Sequence, residues 1–319
     1  MVQKLIKKYI ANVIGVIIIV FFVWYIISNQ NMFGSLKNIN WQYMILMIFI
    51  EIVLFLINSY LDQSMIHRFD SNVSFFDCYL LAYANNFLNK ILPTIGGGAT
   101  FRAVYLKKKY QFPYSQFVST ITGLYVISFF STSLIGLVCL LIIYIQFNVY
   151  NLVLLITFLG LLSPCLFIIF FSPQIPDSNN RVLKIAKSVF DGWNIIKKDL
   201  RYVFIYAFFS ILLLFFSALE ILVSYQALGM GTNYISMLFL STLGIIQALF
   251  NFTPDGIGVK EGLFMFSSDL VKIPNEILVM GSLVLRGASL CSTFIFGGIS
   301  YFILMRRLKI LEDKENISP

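Results

Sequence analysis

Eight stretches of the chain are apolar with few or no charges: 10–27, 43–61, 75–92, 116–146, 151–171, 202–225, 235–252 and 277–304. A helix that crosses a bilayer needs about 20 such residues. The pattern therefore predicts an all-α polytopic membrane protein. Two of the stretches are interrupted. Asn85 to Leu106, NNFLNKILPTIGGGATFRAVYL, is apolar up to Pro93, breaks on Gly96, Gly97 and Gly98, and resumes with Arg102. Gln247 to Phe264, QALFNFTPDGIGVKEGLF, echoes it: Asn89 precedes Pro93, Asn251 precedes Pro254, and each proline leads into glycines and then basic residues. Proline removes a helix donor and glycine disfavours helix, so both stretches read as broken helices. Unpaired backbone is tolerated at membrane depth only against protein or a water-filled cavity. Paired breaks in corresponding halves point to a transporter's binding site.

Charge placement sets the expected topology. If all eight stretches crossed, Arg102, the lysines 107–109 and the basic middle loop (Arg181, Lys184, Lys187, Lys197, Lys198, Arg201) would lie outside, against the positive-inside rule. Treating the two interrupted stretches as re-entrant hairpins removes the conflict. Six spans and two hairpins then put both termini and every strongly basic stretch in the cytoplasm of a plasma-membrane protein. In this reading residues 1–319 form one integral membrane domain. Residues 10–42 hold a peripheral first span, a retained signal anchor. Residues 43–146 form repeat one with hairpin 75–106, and 151–201 a connecting span with a basic cytoplasmic loop. Residues 202–304 form repeat two with hairpin 235–270. One repeat enters from inside and the other from outside, so they are inverted. Two kinked full spans that serve only helix contacts are the alternative.

Composition agrees. The chain is 59% hydrophobic and only 12% charged, where soluble domains carry about 25% charged residues. The net charge of +8 is accounted for by cytoplasmic loops and implies no nucleic-acid partner. Cys78, Cys139, Cys165 and Cys291 are scattered singly, and no spacing suggests zinc or a disulfide framework. The single histidine, His67, lies in a polar loop. No nucleophile elbow or Walker lysine occurs, so neither an enzyme activity nor a cofactor is expected. The loop 172–201 is too short for a catalytic domain, and the tail LKILEDKENISP reads as a short polar end.

Helices restarting near Ala99 and near Gly258, the latter with Asp255 as a candidate cap, would aim their N-termini at the membrane interior. Exposed N–H groups and the helix dipole favour an anion such as a lipid phosphate. Gly96, Gly97, Gly98, Gly256 and Gly258 either let a ligand approach the backbone or simply turn the chain. Arg286 stands eight residues into its span, about 12 Å deep. An intramembrane Arg is costly and marks a functional site unless it serves a structural ion pair or snorkels outward. Glu51 and Glu220 fall in the same outer half of the bilayer. They are expected to share one polar interior with Arg286, which should lie near at least one of them, and Lys260 and Glu261 should approach the same cavity. Arg102, close to the first break, is a second candidate for phosphate, while the lysine triplet reads as a topological anchor. Asn85, Asn86, Asn89 and Asn251 suit either hydroxyls of a sugar or polyol, or contacts between helices.

The motifs NKILPTIGGGATFRAVYL and NFTPDGIGVKEG, with the later Arg286 span ending FGGISYFIL, resemble the flippase-like family built on the transmembrane region of lysylphosphatidylglycerol synthases. The resemblance covers nearly the whole chain. It implies movement of an anionic lipid or a lipid-linked saccharide between leaflets. Its partners would be membrane lipids such as an anionic phospholipid or a polyprenyl-linked sugar. The synthases' soluble lysyl-transfer domain has no counterpart in this sequence, which leaves a second reading: a membrane subunit that presents lipid to a separate transferase. The chain departs from the family where an acidic residue often precedes the Arg of motif one, since Ala99 and Thr100 stand there. It departs again at 121–130, which lacks charge.

Overall fold

The computed structural model describes Val20, Trp24, Ile27 and Ser28, then residues 39–69, 72–91, 97–171, 181–247, 249, 253 and 256–317. Most of the expected span 10–27 and the positions Pro93, Gly96, Asn251, Pro254 and Asp255 lie outside the described residues. The described chain is helical and contains no strand. Its helices are α1 (Trp41–Ile66), α2 (Phe75–Ile91), α3 (Gly97–Tyr110), α4 (Tyr114–Phe147), α5 (Leu152–Phe171), α6 (Arg181–Ile196), α7 (Leu200–Gln226), α8 (Tyr234–Gln247), α9 (Val259–Phe266), α10 (Ser268–Val271), α11 (Asn275–Ser292) and α12 (Gly298–Ile317). A π-helical turn, Thr293–Gly297, joins the last two. Five described helices are long and apolar enough to cross a membrane: α1, α4, α5, α7 and the run Asn275–Ile310. Their outward side chains, such as Phe49, Ile156, Phe170, Phe204 and Phe302, are exposed and apolar, which suits a lipid surround.

Among the described residues each interrupted stretch is divided between two helices. α2 and α3 form one hairpin, and α8 and α9 the other. Contacts between the halves follow a two-fold exchange. α1 packs on α7. α2 packs on α1 and α3 of its own half and also on the π turn and α12, just as α8 packs on α7 and also on α4; α1 meets α11 as α7 meets α4. Each hairpin is thus lodged against the closing helix of the other half, the arrangement expected of an inverted repeat.

Gly98 makes the first hairpin tight. A Cβ added there would sit 2.2 Å from the Asn85 carbonyl oxygen and 2.6 Å from its side-chain oxygen. Neither α2 nor α3 has room to yield, because the obstacle is backbone. Gly98→Ala is expected to cost about 1–3 kcal/mol, the usual penalty of overpacking, and to lower the melting temperature in detergent. Asn89 closes the same break, since its side chain accepts from the Gly98 N–H at 3.0 Å.

One expectation is corrected. The stretch 172–201 is not a plain loop: α6 occupies 181–196 and packs along α4, with Phe190, Trp193 and Ile196 buried. Its contact is close because a Cβ on Gly123 would meet the Gly192 backbone at 2.6 Å. The polar C-terminal end is helical, as α12 continues to Ile317 through a run rich in Leu, Glu and Lys, all good helix formers.

At the end of the molecule where α2 begins, Asp77 gathers four donors. Its carboxylate, 1% exposed, accepts from Lys109 Nζ at 2.5 Å and the Tyr110 hydroxyl at 2.5 Å, from the Tyr105 hydroxyl at 3.2 Å, and from the Arg307 guanidinium. One side chain therefore ties the start of α2 to the end of α3 and to α12.

Candidate functional site

α1 is an apolar helix with three polar residues on one side, Glu51, Asn58 and Asp62, and Phe55 between them. Where α1 meets α7 and α11, a cavity of about 270 Å³ opens. Its lining includes Glu51, Asn58, Glu220, Gln247, Lys260, Arg286 and Ser289. Glu51, Glu220, Lys260 and Arg286 thus line one cavity. Arg286 also pairs with an acid outside that lining. Glu261 Oε1 receives its Nη2 at 2.9 Å, and Glu261 is 1% exposed, behind the cavity wall.

Glu261 has two further tasks. Oε1 also accepts from the Ser282 hydroxyl at 2.8 Å, and Oε2 accepts from the Gly258 N–H at 2.8 Å. That last bond is the return half of a capping box at the start of α9. Glu261 thus caps the start of α9. The local fold follows from the glycines: Gly256 and Gly258 have φ of +62° and +81°, a region that L side chains rarely adopt. They turn the chain into α9, so that Lys260 faces the cavity and Glu261 the protein interior.

A relay that sequence reading missed crosses the opposite wall. Lys90 Nζ donates to Ser289 Oγ at 2.7 Å, and the Ser289 hydroxyl donates to Glu51 Oε1 at 3.0 Å. It links α2, α11 and α1. Nothing in the sequence pairs these residues, which lie up to 238 positions apart.

Arg102 does not join Arg286. It lines a second cavity of about 430 Å³ together with Asn58, Asp62, Asn85, Asn86, Tyr125, Ser128 and Tyr206. Its Nη2 pairs with Asp62 at 2.7 Å. Asp62 supplies, from α1, the acidic partner that motif one lacks near Ala99 and Thr100. Tyr125, Ser128 and Tyr206 supply the polarity that 121–130 lacks as charge. The predicted asparagines divide. Asn85 and Asn86 line the second cavity, Asn86 also donates to the Thr293 hydroxyl at 3.0 Å, and Asn89 serves the hairpin break. Neither lining includes Gly97, Gly98, Gly256 or Gly258.

The model of the lysylphosphatidylglycerol synthase TM region matches residues 12–297. The chain belongs to that family. It is also 25% identical to a UPF0104 membrane protein of Methanocaldococcus jannaschii, over 96% of this chain and 97% of that protein. No solved structure matches it. The match stops within the membrane region, so membership identifies a multi-pass membrane domain and assigns no chemistry to it.

Proposed function

We propose that this protein moves an anionic lipid or a lipid-linked saccharide between the leaflets of the plasma membrane, with both termini in the cytoplasm. One observation carries the reading: a polar cavity holding Arg286, Lys260, Glu51 and Glu220 sits between helices that cross the membrane. Ionisable groups are costly at that depth and are kept for a pathway or a ligand. Arg286 and Lys260 suit a phosphate, while Glu51, Glu220, Gln247 and Asn58 suit the hydroxyls of a polyol or sugar. The lipid's tails remain in the bilayer. The exposed lysines 107 and 108 favour collection of anionic headgroups at the cytoplasmic surface.

The test is lipid movement in proteoliposomes. Fluorescent phosphatidylglycerol, its aminoacyl derivative and a polyprenyl-phosphate sugar would be compared for wild type, Arg286→Ala and Arg286→Lys. Wild type should move at least one of them. Arg286→Ala should slow that movement about tenfold or more, as loss of a charge-assisted hydrogen bond implies, and Arg286→Lys should restore part of it. Binding without movement for every lipid would replace transport with the presentation of lipid to a separate transferase.

A further inference from the structure

Glu51, Phe55, Asn58 and Asp62 stand at i, i+4, i+7 and i+11 of α1. That spacing places all four on one face. The stripe rises along 11 residues, about 16 Å. α7 carries a matching stripe, Tyr206, Ser210, Leu213 and Glu220, at i, i+4, i+7 and i+14. The two helices pack on each other, and their stripes line the same cavities in opposite chain order. Glu51 and Glu220 lie at the first cavity, and Asp62 and Tyr206 at the second. A third cavity of about 210 Å³ is lined by Asn58, Ser128, Thr132, Tyr206 and Ser210.

Asn58 lines all three cavities. Phe55 lines the first two and stacks on Tyr83, with ring centroids 3.9 Å apart. An exposed Asn at the centre of an apolar helix is unfavourable against lipid; here it stands where polar cavities meet. Thr132, 1% exposed, also lines the third cavity, and its buried hydroxyl has no hydrogen-bond partner among the described residues, which is uncommon for a buried polar group. Each of the two larger cavities also holds one arginine paired with one acid, Arg286 with Glu261 and Arg102 with Asp62.

We infer that the three cavities are stations on one path along the α1–α7 seam, with the Arg102–Asp62 cavity a second site for a phosphate-bearing, hydroxylated headgroup, Asn58 the point of transfer, and Phe55 on Tyr83 the barrier between the two sites. This rests on the lipid-moving reading above, and it adds where the headgroup crosses the midplane. The aromatic stack closes the route to water while leaving it narrow enough to open by a side-chain rotation of Phe55.

The test uses a thiol at the transfer point and does not depend on lipid movement. Cys291 is the exposed native cysteine and the other three are buried, so Asn58→Cys is made together with Cys291→Ser in full-length protein. A trimethylammonium methanethiosulfonate reagent is applied in proteoliposomes. Leu56→Cys in the same background is the comparison, because Leu56 is exposed on a different face of α1. The thiol needs water to ionise and react, so modification of Asn58→Cys is expected to be about tenfold faster or more. Saturating glycerol phosphate is expected to slow it severalfold, and Arg102→Gln is expected to remove most of that protection. Equal rates for the two cysteines would overturn the path. Fast modification that glycerol phosphate leaves unchanged, or protection that persists in Arg102→Gln, would overturn the second headgroup site. Protection without movement of any lipid in wild type would sink the transport reading instead and leave the site standing.

Discussion

Glu261→Ala costs about 3–5 kcal/mol of stability, the range for removing one partner of a buried ion pair. Three donors lose their acceptor at once: the Arg286 guanidinium, the Ser282 hydroxyl and the Gly258 N–H. The last loss uncaps α9, which alone is worth about 1 kcal/mol. The larger part comes from Arg286, whose side chain is 13% exposed and so keeps little water to replace the carboxylate. The melting temperature in detergent reads this directly. Glu261→Gln retains an acceptor but loses the charge, and should fall between wild type and Ala. The double variant Glu261→Ala with Arg286→Met should be more stable than Glu261→Ala alone, because it removes the stranded charge as well as its partner. If the double variant is instead the less stable of the two, the cost lies in helix contacts rather than in the charge that has lost the Glu261 carboxylate.

Asp77→Asn weakens the opposite end of the molecule, by about 2–3 kcal/mol. The figure stays below that of a fully buried pair because Lys109 and Arg307, at 28% and 36% side-chain exposure, keep part of their water. The effect depends on pH in a defined direction. Burial pushes the Asp77 pKa up, but the hydrogen bonds from Lys109 and Tyr110 and the charges of Lys109 and Arg307 outweigh it. The carboxyl is held below its ordinary value. A depressed carboxylate contributes fully above its unfolded pKa, about 3.9, and the contribution fades as pH falls through the lower folded value. The gap in melting temperature between wild type and Asp77→Asn should therefore be constant near neutral pH and shrink in acid. A gap that widens in acid would show that Asp77 is not held as the carboxylate.

Much of this architecture was legible in one dimension because the membrane imposes one-dimensional rules. Apolar length fixed the spans, and Pro93 with Gly97 and Gly98 marked the first break. Arg286, Glu51 and Glu220, which stand at similar depth along their helices, line one cavity. α6 was legible too. Ala186, Val189, Phe190, Trp193 and Ile196 recur at helical spacing, but the basic residues around them drew the stretch toward a loop.

Partner choice was not legible. Arg286 pairs with Glu261, Arg102 with Asp62, and Lys90 reaches Glu51 through Ser289. The sequence by itself determined which helices are long and apolar enough to cross a membrane and that two further apolar stretches are divided between helices, since these follow from hydropathy and backbone chemistry along the chain. The tertiary structure alone decided which acid meets which base and that the breaks serve as caps and helix contacts. Those outcomes depend on the rotation of each helix about its axis and on the exchange of hairpins between halves. Both are set by contacts between residues far apart in the chain.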